Sequence, residues 1–135
     1  MSDTKKHFDE AKGFCSEKDS VLAYFKNENE ILAIYQLLPD PESDDHREIW
    51  IGIKPKHDND GEQYFTWIET NENIPANDHI QFEFKDDKER CCARVKKRKH
   101  HQNKIMIRET DDHKKRFMCQ KRCGTTCKIF LNIFH

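Results

Sequence analysis

The chain has 135 residues, of which 35% are hydrophobic and 36% charged, and its formal net charge is -1. That length fits one domain with a single modest core, and the spaced apolar runs exclude a wholly disordered chain. The small net charge conceals a split, because residues 1–90 carry a net of -11 and residues 91–135 a net of +10. A basic half of this kind either neutralises the acidic half on folding or presents a surface to an anionic partner.

Phe8, Ala11, Lys12 and Cys15 recur at helical spacing and predict a first helix over residues 5–15. Residues 21–25 read as a short extended segment. Asn27 is a good N-cap with Glu30 in capping-box position. Ile31, Ile34, Tyr35 and Leu38 then mark one face of a second helix, which Pro39 and Pro41 stop. An acidic loop covers 39–48. The apolar run 49–53, bounded by Pro55, reads as one buried strand. Asp58, Asn59, Asp60 and Gly61 signal a turn, and residues 64–68 form the next strand. After a polar loop containing Pro75, the residues Ile80, Phe82 and Phe84 alternate with polar ones, as a half-buried strand requires. Residues 91–95 and 104–108 read as two strands joined by a basic tip, 96–101, and 116–120 as a last short strand. Two early helices followed by strands make an α+β pattern. Trp50 and Trp67 lie inside apolar runs and belong to the core; most of the eight His sit in polar loops and belong to the surface.

Six Cys in a small domain point to disulfides and an oxidising compartment. Residues 1–13 are polar and lack the apolar stretch of a signal peptide, so a fragment, a short splice form or a truncated gene model would reconcile the two. No apolar run approaches the roughly 18 residues of a membrane span. Cys119, Cys123 and Cys127, with His113 upstream, invite a zinc reading. Structural zinc sites show two paired knuckles, however, and Gly124, Thr125 and Thr126 oppose the helix that would align the three thiols. Lys96, Lys97, Arg98 and Lys99 form a candidate patch for an anionic ligand, and the same run fits a nuclear-localisation or phosphate-binding segment. Aromatic residues that would stack on bases do not interleave with it, so a solvated hairpin tip is the competing meaning. With no nucleophile motif, Gly-rich phosphate loop or His-Glu-x-x-His present, neither an enzyme nor a cofactor is expected.

Seven landmarks occur in a telling order: Phe8, Ala11 and Cys15 on the first helix; Leu22-Ala23; the acidic and aliphatic helix 29–38; Trp50-Ile51-Gly52; Phe65-Thr66-Trp67; Cys92-Ala93-Arg94-Val95; and Phe117-Met118-Cys119-Gln120-Lys121. Together they resemble the C-type lectin-like domain family over about residues 8–121. The resemblance implies an α+β fold, with two helices packed on small antiparallel sheets and the usual first strand missing. It places the domain at 1–121, followed by an extension, 122–135, that holds Cys123 and Cys127. It implies a disulfide between Cys15 and Cys119. It also implies a noncatalytic recognition module, secreted or membrane-tethered, whose ligand is a protein or a carbohydrate, the latter anionic if the basic patch takes part. The alternative is an intracellular protein that binds zinc or nucleic acid.

The departures from the family bear on calcium. Sugar-binding members hold it with Glu-Pro-Asn or Gln-Pro-Asp in a long loop and Trp-Asn-Asp on a later strand. Here Ile74-Pro75-Ala76-Asn77-Asp78 is nearest to the first, and Met106-Ile107-Arg108 stands at the second. Calcium needs six to eight oxygens, so calcium-independent binding is expected. Asp111 or Asp112 fills the place of a family cysteine, which leaves Cys91 or Cys92 without its usual partner. As strand neighbours those two would point to opposite faces, so only one suits the core. Cys123 or Cys127 could reach one of them or pair with another chain.

Overall fold

A computed structural model of the chain describes residues 5–25, 27–38, 48–76, 78–85, 88, 90–98, 104–121 and 131–132. The first helix, α1 (Phe8–Glu17), buries Phe8, Ala11 and Cys15, three of the four positions that predicted it. Asp9 and Glu10 lie in its first turn, where the helix dipole favours negative charge. The Glu10 carboxylate accepts the His7 N–H at 3.1 Å. Asp19 then adopts φ 54° and turns the chain into β1 (Ser20–Leu22). The second helix, α2 (Glu28–Leu37), opens as the sequence indicates, with Asn27 Oδ1 accepting the Glu30 N–H at 3.1 Å. Ile31, Ile34 and Leu38 are buried along it.

The run 49–53 is not one strand. It divides into β2 (Ile49–Trp50) and β3 (Ile53–His57), which belong to different sheets. Gly52 sits at the break. Its N–H donates to the Ala23 carbonyl at 2.7 Å, and a Cβ there would stand 2.9 Å from the Leu22 carbonyl oxygen. The chain can press this closely on the 22–23 backbone only where the side chain is absent. Pro55 does not bound the strand but lies inside β3. It is tolerated because β3 has one hydrogen-bonded neighbour, β4 (Gln63–Trp67), with Pro55 opposite Phe65.

β5 (Ile80–Glu83), β6 (Cys92–Lys97), β7 (Ile105–Thr110) and β8 (Arg116–Phe117) join β2 in a five-stranded sheet of order β5-β7-β6-β2-β8. β6 and β7 form the antiparallel hairpin read from the sequence, while β5 runs parallel to β7 and β8 parallel to β2. The stretch 116–120 also divides. β8 ends at Phe117, Met118 crosses over fully buried, and β9 (Cys119–Lys121) pairs with β1. A short β10 (Leu131–Asn132) lies on the other side of β9. The remaining residues of 122–135, including Cys123 and Cys127, lie outside the described residues, as do the acidic loop 39–47 and the tip residues 99–101. Among the described residues ahead of α1, Lys6 makes an antiparallel bridge to Lys115, and its carbonyl accepts the Trp50 indole N–H at 2.9 Å.

Two apolar clusters result. The larger gathers α2, β2, β3, β4, β6 and β7 around Ile34, Ile49, Ile51, Phe65, Trp67, Val95 and Ile107. The smaller holds Phe8, Ala11, Cys15, Leu22, Trp50, Phe117 and Cys119 beneath α1. Both Trp are buried, as their sequence contexts imply. The Cys15–Cys119 disulfide lies in the smaller cluster and ties α1 to β9. Fold class and disulfide therefore stand as the resemblance implies.

Candidate functional site

Strand alternation gives the five-stranded sheet a buried face and a charged face. On β6 and β7 the residues Ala93, Val95, Ile105 and Ile107 turn into the core. Arg94, Lys96, Met106 and Arg108 take the alternate positions and remain half-buried. Arg94 and Arg108 stand directly opposite each other, where like charges repel. Each has its own carboxylate. Arg94 pairs with Glu48, which also accepts from Lys115 Nζ at 3.0 Å. Arg108 Nε lies 3.0 Å from Glu83 Oε1 on the neighbouring β5.

Burial pushes the Glu48 carboxyl up, but the Lys115 hydrogen bond and the charges of Arg94 and Lys115 outweigh it and hold the group below its ordinary 4.5. A carboxyl depressed by folding contributes stability that is full above its unfolded value and is lost as pH falls through the folded one. Stability is accordingly expected to fall more steeply below pH 4.5 in the native chain than in Glu48→Gln. Denaturant midpoints taken from pH 6 to pH 3 check this, and parallel curves for the two proteins would disprove it.

Of the positions that resemblance assigns to cation ligands, Ile74 and Ile107 turn inward and Arg108 is paired with Glu83. Ile74 is buried, and its N–H donates to the Phe65 carbonyl at 2.8 Å, so this stretch anchors the loop into the core. Pro75, Ala76 and Asp78 are exposed, and Asn77 lies outside the described residues. Ile107 is fully buried, and Arg108 brings a cation of its own. Among the described residues no group of three or more His, Cys, Asp and Glu is placed to hold a metal ion. Cys119, one thiol of the zinc reading, is bonded to Cys15.

The basic run is divided by the pleat of its strand. Lys96 lies opposite Met106 on the charged face. Lys97 turns to the other face, with its Nζ 4.8 Å from the centre of the Tyr35 ring on α2. The Arg98 N–H donates to the Lys104 carbonyl at 3.0 Å and closes the hairpin. Lys99, the fourth candidate, lies outside the described residues.

Two features escape the sequence reading. His57 is not a surface histidine. Its side chain is 11% exposed, and its Nε2 lies 2.6 Å from Oε2 of Glu109, which is fully buried. The signal was present in β7, where Glu109 continues the inward series Ile105, Ile107 as a polar residue in an apolar register. Cys91 and Cys92 are bonded to each other. The opposite-faces argument does not reach Cys91, because β6 begins at Cys92 and Cys91 sits in a bend just before it.

A family model, the lectin C-type domain, matches residues 4–121. The mouse scavenger receptor C-type lectin carbohydrate-recognition domain is similar in structure, with a TM-score of 0.57 and 19% sequence identity over 93% of this chain and 88% of that one. No curated protein matches the sequence.

Proposed function

The chain belongs to the C-type lectin domain family, and on that premise we propose that it is a noncatalytic recognition module which binds a protein or an anionic carbohydrate without calcium. The observation that carries this reading is the Arg108–Glu83 ion pair at 3.0 Å. A guanidinium stands where the resemblance puts a family carboxylate ligand, and the Glu83 carboxylate beside it is already engaged. Ile74 and Ile107 turn into the core, and neither side chain offers one of the six to eight oxygens that calcium needs. Residues 1–121 form the recognition domain, and 122–135 an extension that returns to it through β10. The buried Cys15–Cys119 disulfide fits an oxidising compartment, which supports secretion or display outside the cell. No described helix is long and apolar enough to cross a membrane.

For the ligand, we assign the basic run Lys96, Lys97, Arg98 and Lys99 to an anionic partner, with Lys96 on the charged face of β6 as the one of the four whose position there is described. A ligand that binds only the folded state raises the melting midpoint. Millimolar calcium and an excess of chelator are therefore expected to give the same midpoint, and the same affinity for any ligand found. A midpoint that climbs with added calcium, and falls again with chelator, would overturn the calcium-independent reading.

A further inference from the structure

A cleft of about 310 Å³ opens between α1 and the β3–β4 hairpin, with the Cys91–Cys92 bridge at its edge. It shares no residue with the basic run on β6, and its volume is at the lower end of the roughly 300–1,000 Å³ of small-ligand sites. Three lysines are among the residues that line it. Lys12 comes from α1; Lys54 and Lys56 come from β3, where they flank buried Pro55 and so share a face, about 6–7 Å apart along the strand. Elsewhere three described carboxylates are matched to Lys or Arg: Glu48 with Arg94 and Lys115, Glu83 with Arg108, Asp111 with Arg90 and Lys85. Lys12, Lys54 and Lys56 make no ion pair among the described residues. Like charges gathered in a concave site repel each other and raise the local concentration of anions.

The rest of the lining narrows the chemistry. Asp9 and Asp112 stand on the α1 side, and Asp112 already accepts the Phe8 N–H at 2.9 Å. Carboxylates beside ammonium groups suit a ligand that is anionic at one end and carries hydroxyl donors at the other. Phe8 and Ile68 add apolar wall, against which the C–H face of a ring can lie. We propose that this cleft binds the sulfate- or phosphate-ester group of a sugar-sized polyol, with Lys54 and Lys56 on the ester oxygens and Lys12 closing over them. The inference deepens the recognition reading by naming a ligand chemistry, yet it rests on residues apart from the Lys96–Lys99 surface.

The test is calorimetric titration of the full chain with glucose 6-sulfate, glucose 6-phosphate, glucose and inorganic sulfate at low and at physiological salt. Saturable binding of either ester, weaker at higher salt and absent for glucose, is expected; which ester binds better identifies the source. Lys54→Gln/Lys56→Gln is expected to weaken ester binding about tenfold or more, the scale of one lost hydrogen bond to a charged group. Lys12→Gln, at an exposed helix position, is expected to weaken it too, which guards against misfolding of the double variant. Absence of ester binding, full affinity in the Lys54→Gln/Lys56→Gln chain, or equal affinity for glucose or for inorganic sulfate each overturns the proposal. Loss of ester binding in Lys96→Gln/Arg98→Gln with the cleft variants unaffected overturns it as well, while leaving the recognition reading intact. A calcium-dependent rise in melting midpoint would instead sink that reading and leave the cleft assignment standing.

Discussion

Replacing Cys15 and Cys119 together by Ala is expected to lower stability by about 3–5 kcal/mol and the melting midpoint by about 10 °C or more. The bridge closes a sequence separation of 104 residues, so it restricts nearly the whole unfolded chain, and in the chain-entropy account long loops gain most. Local geometry adds to the effect. α1 is 10 residues long, too short to be stable alone in water. Besides the bridge, it is held by the small cluster around Trp50 and by two edge-on ring pairs, Phe8–Trp50 and Phe14–Phe117, each at 5.3 Å. Cys119 is fully buried on the central strand of its sheet, so its removal also loosens β1 and β10. Cys91→Ser/Cys92→Ser supplies the contrast. That bridge joins adjacent residues and closes no loop of consequence, so its removal is expected to shift stability by about 1 kcal/mol or less. Equal losses in the two double variants, or an unchanged midpoint without Cys15 and Cys119, would show that the long bridge does not restrain the fold.

What the sequence displays well is whatever repeats locally. The α1 face Phe8, Ala11, Cys15, the Asn27 cap and the alternation in β6 and β7 are all written within a few residues, and each forms where it is read. What it hides depends on contacts distant in the chain. The bend at Gly52 exists because the 22–23 backbone lies against it, and Pro55 is admissible in β3 only because one side of that strand is left without a ladder. The parallel pairing of β5 with β7 has no local signature, since apolar–polar alternation is the same in either direction. The candidate site was legible as charge and not as shape. The run Lys96 to Lys99 stands out because its charges are consecutive, yet consecutive strand residues face opposite ways, and Lys97 ends on Tyr35. Lys12, Lys54 and Lys56 are unremarkable in sequence, and only the packing of α1 beside the β3–β4 hairpin brings them to one cleft. The mismatch of Ile74 and Arg108 with the ligand types of the family was legible directly, because neither side chain carries an oxygen wherever it lies.

The second large effect is expected at His57 and Glu109, and its sign pattern is distinctive. Glu109 Oε2 receives His57 Nε2 at 2.6 Å and the Arg90 N–H at 3.2 Å, while Oε1 is buried with no hydrogen-bond partner among the described residues. His57 is the one side-chain partner of this carboxyl among the described residues. Changing His57 to Leu leaves a fully buried acid with a single amide donor and is expected to cost about 3 kcal/mol or more. Glu109→Leu should cost less, about 1–2 kcal/mol, because the imidazole left behind keeps 11% of its side chain exposed and can turn one nitrogen to water. The double change His57→Leu/Glu109→Leu removes both polar groups from beside Phe84 and Ala93 and is expected to be more stable than His57→Leu alone. A buried polar pair exchanged whole for apolar groups of similar volume is often near neutral, whereas half a pair is not. Denaturant unfolding of the four proteins gives the coupling directly. If the two single losses simply add in the double variant, the contact carries no energy and Glu109 is tolerated in the core for some other reason.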